Sequence, residues 1–171
     1  MIIKEVKRLR EKVTEDWSFE NPKKDTKEFA KELVDAMWSN SGLGISANQL
    51  GHLYRVFAMR GATKGESIVC FNPEIIKESD GTVMMKEGCL SFPSLYLNIS
   101  RPIEIEAQYQ NADGDMINVH FEGLAARIFH HEMDHMKGET FINKVNKVFL
   151  QSARRKQKKL LRKGRHDGRA N

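Results

Sequence analysis

A chain of 171 residues, 40% of them hydrophobic and with a formal net charge of +5, is about the size of one domain and can bury roughly two thirds of its unfolded surface, enough for a rigid core without disulfides or a structural metal. It has no apolar run long enough to span a membrane and no charged-then-apolar leader, and its only cysteines are Cys70 and Cys89. That pattern predicts a reducing, cytoplasmic setting with no membrane partner, a Cys70 to Cys89 disulfide being the alternative for the pair. The charge is uneven: residues 151–171 hold nine arginines and lysines against Asp167, a local +8 that leaves −3 on the first 150. The expected organisation is one mildly acidic domain over 1–150 and a basic C-terminal helix or tail over 151–171. Such a tail attracts polyanions, with ribosome or rRNA contact as one reading and a solvated, solubilising end as the other. No aromatic residue interleaves it, so base stacking is not expected.

The elements read as an α+β pattern. Residues 1–25 are charged and weakly periodic and read as a short strand or arm with loops. A helix is predicted over 26–39: Asp25 or Thr26 caps it, Glu28 and Glu32 favour its positive end, and Phe29, Leu33 and Met37 mark its buried stripe. The small residues of 42–49 let backbone approach a ligand and present an edge to an extended peptide, or simply turn helix into strand with Gly42 as the C-cap. Residues 53–59 and 68–71 are apolar and β-prone, and Pro73 predicts an edge strand through Ile75 and Ile76. Ile103, Ile105, Ala107 and Tyr109 alternate with polar residues, and Asp113-Gly114 precedes a second run over 116–121, a hairpin signal. Gly123 then opens a helix in which Leu124, Ile128, His131 and His135 share one face, so Leu124 and Ile128 wall a side-chain pocket, belong to the core, or do both. The expected fold has antiparallel or mixed sheets packed around this central helix.

That helix carries the chemistry. Residues 131–135 read HExxH, which places His131 and His135 on one face about 6 Å apart, able to hold one ion while Glu132 points to its open side. The thiolate of Cys89 is the expected third ligand, and three protein ligands leave a position open for chemistry. Imidazole and thiolate donors suit Fe(II), Zn(II), Co(II) or Ni(II) rather than Mg or Ca. A metal so held makes water acidic and polarises a carbonyl, while Glu132 carries the proton from water to the departing nitrogen or, as the alternative, only orients a ligand. The backbone N–H of Leu90 and the side-chain amide of Gln49 are candidate donors to the oxyanion that forms in acyl transfer.

Three separated segments together resemble one family. Residues 42–49 resemble a GxGxAxxQ motif with Ser46 in place of alanine, residues 87–91 read EGCLS, and residues 130–138 resemble QHExDHxxG with His130 in place of glutamine. The family is peptide deformylase, and the resemblance covers about 30–143. It implies removal of the formyl group from N-formylmethionyl peptides, with Fe(2+) as the usual metal and Zn(2+), Ni(2+) or Co(2+) as substitutes. Carried over by position, it makes Cys89, His131 and His135 the ligands, Glu132 the acid/base, and Gln49 with the Leu90 amide the oxyanion hole. Leu43, Gly44 and Gly88 become substrate-binding positions, with Gly44 bonding the peptide backbone, and Glu87 and Arg101 a buried ion pair behind the cysteine loop. No oligomer is implied.

Other residues carry weaker expectations. His130 lies about 100° round the helix from His131 and should face away from the metal. His52, His120 and His166 lack a ligand partner at useful spacing. Arg127 suits either a substrate carbonyl or a structural ion pair. The competing functions are a zinc endopeptidase of the HExxH type, which normally takes a downstream third ligand, and a ribosome- or RNA-binding protein with a vestigial metal site.

Overall fold

The computed structural model describes residues 2–3 and 5–167. A short helix, α1 (Val6–Leu9), leads into a loop and then α2 (Thr26–Ser39). Three strands follow: β1 (Gly44–Ser46), β2 (Val56–Arg60) and β3 (Ser67–Glu78), with a 3-10 turn at Ala47–Leu50 between the first two. Next come β4 (Thr82–Cys89), β5 (Phe92–Pro102), β6 (Glu104–Gln110) and β7 (Met116–Glu122). The chain ends with α3 (Gly123–Met136), a 3-10 turn at Phe141–Lys144 and α4 (Lys147–Asp167). β1, β2, β3, β6 and β7 form one sheet in that order and β4 pairs with β5 in a second, every pairing between strands being antiparallel. The fold is α+β, as expected.

Alternation explains how the helices embrace the large sheet. On β2, Phe57 and Met59 pack with Phe129 and Met133 of α3, while Val56 and Ala58 pack with Phe29, Leu33 and Met37 of α2. Both faces of the strand are therefore dry, which is why its sequence is continuously apolar instead of alternating. The other side of α3 faces the β4–β5 sheet, through Arg127 bonded to the carbonyls of Ile99 (2.9 Å) and Val83 (2.6 Å). The HExxH helix is thus enclosed between two sheets. A third apolar cluster joins β5 (Leu95, Leu97, Ile99) to Leu9, Phe141 and Ile142, and Leu150 and Ala153 dock α4 against it.

Several expectations are met and several corrected. α2 has the predicted bounds, and the Asp25 carboxylate accepts from the Glu28 N–H at 2.8 Å. Gly42 is not its left-handed cap. Ser41 takes that conformation (φ 55°), and the Ser41 and Gly42 N–H groups close back onto Trp38 and Met37 in a Schellman turn. The first 25 residues contain α1 and an isolated parallel bridge from Glu15 to Tyr54, with Trp17 stacked on Phe29 at 4.9 Å. β2 starts at Val56, not Leu53, which is 44% exposed. Pro73 does not mark an edge: β3 lies mid-sheet, and a register shift between Phe71 and Glu74, with Asn72 at φ 50°, accommodates the missing N–H. β1, β4 and β5 were not anticipated. Both cysteines are free thiols. Among the described residues, no helix is long and apolar enough to cross a membrane.

Phe129 is fully buried, edge-on to Phe57 at 5.0 Å and tilted on Phe121 at 5.7 Å. Phe129→Ala is expected to cost about 3–5 kcal/mol by urea denaturation, whereas Val148→Ala, at a site 75% exposed, is expected to stay within about 0.5 kcal/mol of the parent.

Candidate active site

The end of β4 and one face of α3 bring Cys89, His131 and His135 together, with one donor atom from each lying within 4.8 Å of the others. The Cys89 Sγ stands 3.4 Å from His135 Nε2. A soft sulfur and two imidazole nitrogens at this spacing fit a transition metal and suit neither Mg nor Ca. Burial holds His135 well below the usual imidazole range, keeping it neutral as a ligand must be. His131 is also buried, but hydrogen bonds involving Cys89 and Glu87 outweigh that desolvation and hold it well above its ordinary value. Its Nδ1 faces Glu87 Oε2 at 3.1 Å, so the N–H points at a carboxylate and Nε2 is left for an ion.

Glu87 anchors this arrangement. Its carboxylate accepts from Arg101 Nε and Nη2 at 2.7 and 2.9 Å and from Arg127 Nη1 at 2.6 Å. Arg101 Nη1 continues to Asp134 at 2.9 Å, and Asp134 meets Lys144 at 3.0 Å. The Glu87–Arg101 pair implied by the family resemblance is thus one edge of a larger network. Arg127 takes the structural role: it is 3% exposed and spends its guanidinium on Glu87 and two backbone carbonyls.

Glu132 is 3% exposed, and its Oε2 has no hydrogen-bond partner. Burial raises its pKa to about 7, against the opposing charges of His131 and Arg101, so the group sits where a carboxyl can both take and return a proton near neutrality. Gly44 of β1 lies against it: a Cβ there would fall 2.5 Å from Glu132 Oε1 and 2.9 Å from Ile128 Cγ2. Only glycine lets the strand approach this closely. Gln49 is 1% exposed and fixed at both ends, its Oε1 accepting from the Ser46 N–H at 3.0 Å and its Nε2 donating to Ser91 Oγ at 3.0 Å while lying 3.4 Å from Cys89 Sγ.

All the sequence-predicted site residues except His135 line one cavity of about 780 Å³. Leu124, half exposed, stands at its wall, and Ile128, 8% exposed, is both core and cavity lining. His130 is outside the ligand group, buried, with Nδ1 3.9 Å from Glu78. His52 pairs with Glu32 at 3.2 Å and His120 with Glu104 at 3.8 Å. The His166 side chain lies outside the described residues. Sequence reading missed Asn48, whose Nδ2 donates to the His135 carbonyl at 3.0 Å, and Ser91, which holds Gln49. Their positions inside the two motifs were the available signal.

A three-donor transition-metal centre beside a buried carboxyl and a cavity defines a metal-dependent hydrolase. Comparison with known proteins narrows the class. The family model described as polypeptide deformylase matches residues 2–150. A peptide deformylase of Aquifex aeolicus is 34% identical over 143 residues, covering 81% of this chain and 84% of that protein. A chloroplastic peptide deformylase 1B of Oryza sativa is 37% identical over 135 residues, 77% of this chain but 50% of that longer protein. Among solved structures, peptide deformylases of Plasmodium falciparum and Legionella pneumophila superpose with TM-scores of 0.82 and 0.81 at 26% and 30% identity, covering 97% and 91% of this chain and 98% and 90% of theirs. The chain belongs to the polypeptide deformylase family. It is a metal-dependent hydrolase that removes the N-formyl group from nascent peptides, which sets aside the endopeptidase and vestigial-site readings.

The Glu87 network makes a prediction in acid. Burial pushes this carboxyl up, but the bonds from Arg101 and His131 outweigh it and bring the pKa from 4.5 to about 2. A depressed carboxyl stabilises the fold above its unfolded value and loses that contribution as pH falls through the folded value. The metal-free protein should therefore lose stability between about pH 4.5 and pH 2, and chemical denaturation of Glu87→Gln should show a shallower slope in that window. At neutral pH, Arg101→Ala leaves buried carboxylates short of a partner and should cost about 3–5 kcal/mol.

Proposed function

We propose that Cys89, His131 and His135 hold the metal and that Glu132 is the acid/base of deformylation. The observation that carries this reading is the buried, unpartnered Glu132 Oε2 beside the three donors at the wall of the cavity. When bound, the metal supplies Lewis acidity, making water a better nucleophile and the formyl carbonyl a better electrophile. Iron(II) is the proposed native metal, with zinc, nickel or cobalt as substitutes. Glu132 accepts a proton as the water oxygen bonds to the formyl carbon, then delivers it to the amide nitrogen as the C–N bond breaks, giving formate and a free amine. The Gln49 amide and the Leu90 N–H are the proposed donors to the oxyanion, and the pinned Gln49 side chain costs no reorganisation at that moment. Leu43, Gly44 at the start of β1, and Gly88, which line the same cavity, are the proposed seat of the peptide backbone, and Leu124 and Ile128 the wall against the methionine side chain.

Residues 1–150 are proposed as the catalytic unit, an assignment that the matched span 2–150 supports, and residues 151–171 as an appended basic helix. The chain is proposed to act in the cytoplasm on nascent chains. On α4, Arg154, Arg155, Lys158, Lys159 and Arg162 are exposed, which supports a ribosome or rRNA contact; side chains from 163 and residues 168–171 lie outside the described part.

Iron-loaded protein prepared without oxygen should release formate from formyl-Met-Ala-Ser, and Glu132→Ala should lower kcat by about 10²–10⁴-fold while metal analysis finds the ion retained. Equal turnover by that variant would remove Glu132 from the mechanism. For the tail, reversing Arg154, Arg155, Lys158 and Lys159 to glutamate should weaken cosedimentation with ribosomes and flatten its salt dependence with tripeptide turnover preserved. Unchanged cosedimentation would discard the contact.

A further inference from the structure

The active-site cavity borders a second one. Lys86, Ser94 and Tyr96 line the first and also line a neighbouring groove of about 610 Å³. The floor of that groove is the outward face of the β4–β5 sheet. Leu95, Leu97 and Ile99 turn into the core, so Tyr96, Asn98 and Ser100 alternate outward, opposite Gly88, Lys86 and Met84. Gly88 lies directly under Tyr96, where a Cβ would come within 2.8 Å of the ring. The floor therefore starts one residue from Cys89 and runs away from it. The wall is α4, which presents Phe149, Lys156 and Leu160 at helical spacing and is anchored by Leu150 and Ala153 and by Gln157 Nε2 donating to the Pro93 carbonyl at 2.8 Å.

The lining has a definite chemistry. It combines exposed apolar surface (Met84 68%, Tyr96 50%, Phe149 67%, Leu160 52%) with three lysines and no carboxylate. Lys144 is offset by Asp134 and Glu139, both at 3.0 Å. Among the described residues, the lysines paired with a carboxylate are Lys23, Lys24, Lys27, Lys31, Lys77 and Lys144, not Lys86 or Lys156, and Lys86 rests over the Tyr96 ring at 4.7 Å. The groove therefore favours an extended segment bearing both apolar and acidic side chains.

We infer that this groove receives the downstream part of the same peptide whose formylated end lies in the active site, and that it favours acidic over basic residues there. The inference rests on the deformylation reading. Continuity selects the occupant: a chain leaving the metal centre over Gly88 meets the Lys86–Tyr96 saddle and then the groove. From Tyr96 to Ser100, opposite Gly88 to Met84, the floor extends about 13 Å at ~3.3 Å per residue, room for about four peptide residues, so its reach is roughly the fourth to seventh residues of the substrate. Short formyl peptides do not enter it.

The test compares formyl-Met-Ala-Ser with two nine-residue formyl peptides that begin with the same three residues and carry three aspartates or three lysines further on. At low salt, kcat/KM for the aspartate peptide should exceed that for the lysine peptide by about two- to fivefold per exposed charge pair, mainly through KM, and the gap should close in about 0.5 M salt. Lys156→Glu should abolish or reverse the preference while tripeptide kcat/KM stays at the parent value. Equal values for both long peptides, or a preference that survives Lys156→Glu, would overturn the groove assignment. Failure of the tripeptide to release formate would instead overturn the deformylation reading.

Discussion

A carboxylate buried between two guanidinium groups and an imidazole holds this molecule's working parts in register. Glu87 comes from β4, Arg101 from β5, and Arg127 and His131 from α3. Taking such a carboxylate out of water costs several kcal/mol unless its lone pairs are filled. Here four donor contacts fill them: the two from Arg101 tie β5 to β4, and those from Arg127 and His131 pull the small sheet against the helix. Cys89 lies two residues beyond Glu87, so the ion pairs that bind hairpin to helix also set the thiolate against the histidines. Asp134, on the same helix, extends the pairing through Arg101 and Lys144. The metal centre thus inherits its geometry from a charge network next to it, and that network has no chemical step of its own.

Around it the environment assigns opposite tasks to neighbouring carboxylates. Glu87 is saturated with cationic donors and stays ionised far into acid. Glu132, five residues after Arg127 on the same helix, is just as enclosed but has an oxygen without a partner, and desolvation carries its pKa towards neutrality. One carboxylate serves as a fixed charge and the other as a movable proton site. The difference arises from who stands beside each, since both are glutamates at similar depth.

Much of this was legible in the chain because its signals were local. The cap at Asp25, the stripe of Phe29, Leu33 and Met37, and the Asp113-Gly114 turn each act within a few residues, and HExxH is legible because helical geometry alone puts its histidines together. The β4–β5 sheet escaped notice although Leu95, Leu97 and Ile99 alternate cleanly, because Pro93 precedes them and Met84, Met85 and Lys86 of β4 are all exposed, so that strand shows little contrast between its faces. Pro73 misled for a related reason: local chemistry forbids it a normal ladder position, and only the sheet reveals a bulge at Asn72 that accommodates it. The extent of the Glu87 network was illegible because Arg101, Arg127 and Asp134 approach it from 14 to 47 positions away in sequence. Charges so separated carry no spacing rule.

The bond from the Asn48 side chain to the His135 carbonyl bears on how modular such a protein is. It ties the glycine segment, which also holds Gln49 and Gly44, to the last turn of the histidine helix, while Gly44 fits against Glu132 one turn earlier. The two motifs are consequently one mechanical part split between distant stretches of chain. A chimera that took residues 42–49 from one relative and α3 from another would join two halves shaped to different partners, and the mismatch would appear where backbone meets the glutamate, with every ligand still present.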